Sequence, residues 1–267
     1  MPKQDIHNIE SWESRKVTRR GQDIHYLVYG EGPLLICAHG GITTGPMQFL
    51  NPLCPQLGAF SDGFQIALPD SLGHGQSSKP ADESMYTLKE RAADLVAVAD
   101  DLGADKAWYM GYSMGGWTVA GLAKYFPDRA AGLVIGGWDV EKGMYTSAPT
   151  LGLEEITFDD LIRLAQENED LPPEFVPQFS AEEEAAMRPA INALNTLDDQ
   201  DKAVAEVEVP VLFWVGRDDP YHGPMLDYTS RNQIPLLTTP GDHQIASMAH
   251  GNMAMSMIRG FIEQYNG

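Results

Sequence analysis

The sequence is poor in basic residues. Of its 267 residues, 18 are Lys or Arg and 38 are Asp or Glu, so the formal net charge is −20. A surface of this sign repels the phosphates of nucleic acids and the headgroups of anionic membranes, and no basic cluster in the sequence offsets it. We therefore expect no nucleic-acid partner and no membrane partner.

Cysteines and long apolar runs are also scarce. The two cysteines, Cys37 and Cys54, form no Cys-x-x-Cys pair, which excludes a disulfide framework and favours buried free thiols. No apolar run approaches the ~20 residues that a membrane-spanning helix needs. Residues 1–20 are polar and lack the apolar segment of a signal peptide. These absences predict a cytoplasmic protein.

Motifs for metals and nucleotide cofactors are missing as well. The chain contains no His-Glu-x-x-His motif, no clustered Cys and His set, and no G-x-G-x-x-G fingerprint at the start of a βαβ unit. We expect a protein without a metal and without a cofactor.

The sequence does contain the alternating strand and helix patterns that are typical of an α/β domain. Hydrophobic residues make up 43% of the chain, and apolar runs of strand length alternate with helical patterns. This order predicts a mostly parallel sheet with helices on both faces. A hairpin turning at residues 21–23 should precede it. We also expect helices over residues 47–57 and 86–102, a loop at 241–243 and a closing helix over 248–265.

The composition changes after Trp138. Residues 139–205 hold sixteen Asp or Glu against four Lys or Arg. Capping patterns at Thr157 and Ser180 predict two helices there; a proline at position 189 should kink or restart the second. We interpret residues 1–138 and 206–267 as two parts of one core, and residues 139–205 as a helical lid inserted after the sixth strand.

One short motif organises the rest of the chain. Residues 111–116 read Gly-Tyr-Ser-Met-Gly-Gly, between a strand predicted over 106–110 and a helix predicted over 117–126. Glycines on both sides of a serine allow a strand and a helix to cross closely at a sharp turn. The pattern is typical of a nucleophile elbow, which exposes the hydroxyl of Ser113.

A serine hydroxyl needs a general base, and the base needs an acid that orients it. Ser113 is followed by Asp219 and then by His243, each just beyond a predicted strand, where open α/β sheets place their ligands. Of the seven histidines, His243 alone combines this order with a loop after the last strand. Asp218 and Asp139 are alternatives to Asp219 as the acid.

A tetrahedral intermediate also needs donors for its oxyanion. The backbone N–H of Met114 follows the nucleophile at a helix N-terminus and is one candidate. The second should come from the loop after the third strand, which reads His-Gly-Gly at positions 39–41. We predict the N–H of Gly41, with that of Ile42 next.

Taken together, these motifs resemble those of the α/β-hydrolase superfamily over nearly the whole chain. The stretch from Asp70 to Ser77 is similar to that family's D-x-x-G-x-G-x-S loop. The resemblance implies an eight-stranded sheet and a helical lid, and it favours Asp219, three residues after the glycine that ends its strand. Relatives that open epoxides or displace halide use an aspartate where this chain has Ser113, so the resemblance implies acyl-enzyme chemistry.

The expected activity is therefore a cofactor-independent serine hydrolase of the esterase or lactonase type, acting on a small-molecule ester or lactone. Two other hypotheses use the same residues: a hydroxynitrile lyase or perhydrolase, and a ligand-binding signalling protein with little turnover. The residues expected to line the substrate pocket are Ile42, Tyr112, Trp117, Trp138 and Tyr145. For Trp117 and Trp138 a place in the core is an equal alternative.

Overall fold

The computed structural model describes residues 5–51, 56–167 and 178–266. Within these ranges the strands are β1 Glu13–Arg19, β2 Gln22–Gly30, β3 Leu34–Ala38, β4 Gln65–Pro69, β5 Ala107–Tyr112, β6 Ala130–Gly136, β7 Val211–Gly216 and β8 Leu236–Thr239. The α-helices are α1 Gly45–Phe49, α2 Leu88–Asp101, α3 Met114–Tyr125, α4 Met144–Ser147, α5 Phe158–Glu167, α6 Ala181–Asn192, α7 Gln200–Glu206, α8 His222–Asn232, α9 His243–Met248 and α10 Gly251–Tyr265.

The strands form one sheet in the order β1-β2-β4-β3-β5-β6-β7-β8. Strand β2 is antiparallel to both of its neighbours, and the strands from β4 to β8 pair in parallel. The predicted fold class, an eight-stranded and mostly parallel sheet covered by helices, is confirmed. Because the strands run the same way, the loops after β3, β5, β7 and β8 gather at one edge of the sheet.

Helices cover both faces of the sheet. One apolar core lies against α2, α3 and α8, and a second lies against α1 and α10. The strands at the centre have buried side chains on both faces, as in the fully buried run of β5, which is why they read as continuous apolar segments rather than as alternating ones.

Three predicted boundaries differ from the structure. The hairpin turn is Arg20-Gly21, where φ values of 54° and 72° give the two-residue turn whose twist matches the strands. Helix α1 covers only part of the predicted 47–57 helix, and residues 52–55 of that prediction lie outside the described residues, as does Cys54. The closing helix is divided into α9 and α10.

Helices α4 to α7 lie between β6 and β7. The hydroxyl of Ser180 and the side chain of Glu183 cap α6 reciprocally. Helix α6 continues through Pro189 to Asn192 without a restart, so proline costs one backbone hydrogen bond without ending the helix. Helix α7 packs against α3, which itself packs on the sheet. In the described part of the chain, no helix combines the length and apolar character that crossing a bilayer requires.

The crossing of β5 and α3 leaves no room for side chains. A Cβ atom at Gly115 would lie 2.1 Å from the carbonyl oxygen of Ala38, and one at Gly111 would lie 2.2 Å from that of Gly115. Between them Ser113 has φ 58° and ψ −120°, a conformation that is costly for any residue other than glycine. The predicted elbow therefore forms where two missing side chains let strand and helix meet.

Replacing Gly115 by alanine should destabilise the protein, because the new methyl group meets backbone rather than a flexible side chain. We expect a loss of about 1–3 kcal/mol in the free energy of unfolding, typical of an overpacked site, measured by urea denaturation. The matched control is Gly260→Ala on α10, where nothing lies within 4 Å of the new Cβ; it should stabilise by about 0.5–1 kcal/mol. Equal effects in the two variants would contradict the close crossing.

Candidate active site

Ser113 lies at the carboxyl edge of the sheet, directly after β5. Its own N–H donates to the carbonyl of Gly136 at 2.8 Å, which ties the elbow to β6. Met114 is the first residue of α3, so its N–H has no preceding turn to accept a hydrogen bond. The amide and the helix dipole together favour negative charge beside Ser113.

Asp219 and His243 meet at the same edge. The Nδ1 atom of His243 lies 2.7 Å from Oδ2 of Asp219. The carboxylate is 4% exposed and accepts two further hydrogen bonds, from the Tyr221 N–H at 2.9 Å and the Tyr112 hydroxyl at 3.4 Å. The rings of Tyr112 and Tyr221 also pack against the imidazole, with centroids at 5.1 and 5.6 Å.

His243 was expected in a loop, but it is the first residue of α9. The carboxylate of Asp242 accepts hydrogen bonds from the N–H groups of Gln244 and Ile245. Asp242 is therefore the N-cap, directly after the turn at Gly241, and the helix begins at His243. An N-cap aspartate of this kind explains why the structure is helical where the glycine-rich sequence indicated a loop.

The electrostatics of His243 are set by burial and by Asp219. Burial lowers the pKa of the imidazole, but the charge of Asp219 and its hydrogen bond outweigh burial and raise the pKa above its usual value. Asp219 accepts from Nδ1–H, so Nε2 is the nitrogen left to exchange a proton with a substrate or with Ser113. No hydrogen bond joins the Ser113 hydroxyl to His243 in this conformation, although both line one cavity. Such bonds are often long in free enzymes.

The two alternative acids lie elsewhere. The side chain of Asp218 is exposed. Asp139 is 1% exposed, but it accepts hydrogen bonds from the Glu141 N–H and the Thr146 hydroxyl. The structure therefore brings Asp219, and neither alternative, into contact with His243.

The loop after β3 lies beside the elbow. A Cβ at Gly40 would lie 3.7 Å from the Cβ of Ser113, and one at Gly41 would lie 3.8 Å from that of Met114. The N–H of Gly40 donates to Oε1 of Gln48 at 2.7 Å. The Gly40 N–H is thus occupied, and the two predicted candidates, the N–H groups of Gly41 and Ile42, can serve a ligand.

Two buried histidines hold the carbonyl groups of this loop. His39 Nδ1–H donates to the Gly40 carbonyl and His74 Nε2–H donates to the Gly41 carbonyl, both at 2.7 Å. In a trans peptide the N–H points away from the C=O, so each histidine orients the amide that follows, those of Gly41 and Ile42. We call this set, with Gln48, the loop anchor.

Both rings of the loop anchor are neutral over the ordinary pH range. Burial lowers the pKa of His39 to about 4 and that of His74 to about 3. The N–H of Ser71 donates to Nε2 of His39 at 2.9 Å, which leaves the proton on Nδ1. The other nitrogen of His74 faces the Leu72 carbonyl at 3.1 Å, so a neutral ring satisfies one of its two carbonyls.

A cavity of about 540 Å³ opens above Ser113. Ile42 and Tyr112 line it as expected. Trp117 and Trp138 do not: each is 1% exposed and they pack against one another in the core, at 6.3 Å between ring centroids. The expectation that they line the pocket is wrong, because both side chains are buried in the apolar core that lies against α2, α3 and α8. Tyr145 is also absent from the lining, and its hydroxyl donates to Glu155 at 3.2 Å.

Other residues of the site were not expected from the sequence. Gln48 and Tyr221 carry no motif, and their roles follow only from the fold. His74 belongs to the glycine-rich loop between β4 and α2, so its spacing relative to Asp70 was the available signal. Across the described ranges, no group of three or more His, Cys, Asp or Glu side chains could hold a metal ion.

The pairing predicts how His243 titrates. Its pKa, followed by NMR of the imidazole resonances, should lie above the ordinary ~6.5. Asp219→Asn removes the charge that raises the pKa, so the value should fall by about one unit or more. Asp218→Asn is the matched control and should leave the value unchanged. If Asp218→Asn lowered the pKa of His243 and Asp219→Asn did not, Asp218 would be the partner of His243.

Comparisons with known proteins agree with this fold. A family model described as alpha/beta hydrolase fold matches residues 33–144. The chain is 32% identical over 121 residues to a cis-3-alkyl-4-alkyloxetan-2-one decarboxylase of Shewanella oneidensis, and 33% identical over 122 residues to epoxide hydrolase B of Mycobacterium tuberculosis. These matches cover 45% and 43% of this chain but only 36% and 32% of the two relatives.

The likeness in three dimensions extends further. The enol-lactonase of Burkholderia xenovorans superposes with a TM-score of 0.71 over 93% of this chain and 100% of its own, at 19% identity. At that identity the likeness concerns the fold. The family match over residues 33–144, the eight-stranded topology and this superposition lead to one conclusion: the chain has the α/β-hydrolase fold.

Proposed function

We propose that the protein is a serine hydrolase that cleaves a small carboxylic ester or lactone through an acyl-enzyme on Ser113. The observation that carries the proposal is the 2.7 Å contact between His243 Nδ1 and Asp219 Oδ2. It lies at a cavity that Ser113 also lines. A buried acid, a paired imidazole and a strained serine are the parts that nucleophilic catalysis needs.

The proposed reaction uses these residues in two halves. Ser113 Oγ forms a bond to the carbonyl carbon while its proton passes to Nε2 of His243. The C–O bond to the alcohol then breaks, and the alcohol leaves with that proton. Water adds next, giving its proton to His243; the bond to Ser113 breaks, and the proton returns to the serine. Asp219 stabilises the imidazolium each time it forms.

The oxyanion of each tetrahedral intermediate would be held by backbone amides. Met114 N–H supplies one donor at the start of α3, and Gly41 N–H supplies the second, with Ile42 beside it. Neutral, rigid donors suit this task because they already point at the oxygen and need not reorient when charge develops on it. The loop anchor would act by fixing the peptide planes of the loop.

Among the relatives, the printed names describe a decarboxylase and an epoxide hydrolase, while the superposed structure is an enol-lactonase. Serine at position 113 favours the acyl-enzyme route over epoxide opening, because ester and lactone carbonyls form acyl bonds with a hydroxyl nucleophile.

We also propose that residues 139–205 act as a lid on a core formed by residues 1–138 and 206–267. The lining of the cavity supports this. One part of the lining comes from α4, α5, the turns next to them and the turn after α6, and the rest comes largely from the loops at the edge of the sheet. Helix α7 packs on α3 and would attach the lid to the core.

Removing the nucleophile tests the function directly. Wild-type protein should gain one adduct from an alkyl fluorophosphonate by intact mass and should hydrolyse p-nitrophenyl esters. Ser113→Ala should gain none and should lose kcat/KM by about 10⁴-fold or more. Ser256→Ala, on the exposed side of α10, is the control and should behave as wild type. A folded wild type that binds ligands without reacting would instead favour a receptor.

The loop anchor generates a second kinetic prediction. His74→Phe removes the hydrogen bond to the Gly41 carbonyl. The Ile42 N–H then loses its orientation, and the loop that carries the Gly41 N–H loses one of its anchors. We expect kcat to fall by about tenfold to a hundredfold with KM little changed, because the donors bind the transition state more than the ester. His74→Gln keeps an amide donor and should recover part of the loss. An unchanged kcat in folded His74→Phe would contradict this role.

A further inference from the structure

The wall of the cavity opposite the catalytic residues is almost entirely aliphatic. Of its eight lining residues between β6 and β7, six are methionine, leucine or isoleucine. They come from α4, α5, the turns beside these helices and the turn after α6, and we call them the aliphatic wall: Met144, Leu151, Ile156, Leu161, Leu164 and Leu194. Leu151 remains 39% exposed, so part of this wall is available to a ligand.

Carboxylates predominate among the ionisable groups around the cavity. In the described part of the chain, the lining contains the carboxylates of Glu167, Asp219 and Asp242 and the imidazole of His243, and no lysine or arginine. Residues 168–177, which follow Glu167 in the sequence, contain no lysine or arginine either.

The arginines on α5 and α6 are already paired. Arg163 contacts Asp160 at 3.2 Å and Glu167 at 3.3 Å, and Arg188 contacts Asp159 at 2.6 Å. Neither arginine belongs to the lining. A carboxylate entering the cavity would lose its hydration shell and find no lysine or arginine among the described lining residues, and the imidazole of His243 is already paired with Asp219.

The aliphatic wall and the acidic lining have opposite effects on the binding of a substrate. Each methylene buried against an aliphatic wall strengthens binding about fourfold. An anion without a partner is strongly disfavoured in a desolvated site, and the like-charged carboxylates repel it further.

Given the proposed function, on which this inference rests, we propose that the site selects esters with an uncharged aliphatic acyl chain. The chain lies along the aliphatic wall, and esters whose chain ends in a carboxylate are rejected.

A length-matched pair of substrates tests the inference. p-Nitrophenyl hexanoate and mono-p-nitrophenyl adipate share a six-carbon acyl chain and differ by a terminal carboxylate. We expect kcat/KM for the adipate to be lower by roughly tenfold or more, and the hexanoate to exceed the acetate. Equal values for the hexanoate and the adipate would overturn the proposal.

A cation placed on the wall should reverse the selection. Leu161 lies on α5 with no acidic residue three or four positions away, so Leu161→Arg introduces a charge that its own helix does not neutralise. The adipate-to-hexanoate ratio of kcat/KM should rise by roughly tenfold. Leu161→Gln is the matched control, similar in polarity without charge, and should leave the ratio near that of the wild type. A rise in both variants would show that volume or polarity, not charge, controls selection.

Binding separates this inference from the proposed function. In Ser113→Ala, calorimetry with hexanamide and with adipic acid monoamide measures selection without any chemical step. Tighter binding of hexanamide supports the inference even if no ester is hydrolysed, a result that would defeat the proposed function alone. Equal binding of the two amides would defeat the inference alone.

Discussion

The contact on which this structure depends is the close crossing of β5 and α3 at Gly111 and Gly115. Because neither residue has a side chain, the backbone of the elbow can pass against Ala38 at the end of β3. That passage brings the loop after β3 beside Ser113, and it holds the serine at φ 58°. The loops after β7 and β8 then add Asp219 and His243 at the same edge. A strained residue of this kind persists only where its surroundings are rigid.

Rigidity around the loop after β3 comes from buried polar groups. Gln48, His39 and His74 each satisfy one backbone group there, and the fully buried rings pay for their desolvation with short hydrogen bonds. The side of the cavity formed by residues between β6 and β7 is built in the opposite way, mostly from aliphatic side chains. One wall of the cavity is thus suited to precise orientation, and the other to accepting ligands of variable shape.

Much of this arrangement could be predicted from the sequence, because the signals were local. The strand runs, the glycines around Ser113 and the capping box at Ser180 depend on neighbouring residues. The order of serine, acid and histidine was predicted from the position of each residue just after a strand run. The rest depended on packing between distant segments. Nothing local distinguishes a tryptophan in the core from one in a pocket, so Trp117 and Trp138 were placed wrongly. Gln48 acquires its role only because the fold brings it to Gly40.

The two histidines that hold the loop also simplify the chemistry of the site in acid. With pKa values of about 4 and about 3, His39 and His74 keep the same charge while His243, whose pKa is raised, gains its proton. The geometry of the proposed oxyanion donors is then independent of the titration of His243. Over the weakly acidic range one proton changes the site: it removes the proposed base and leaves the loop after β3 in place.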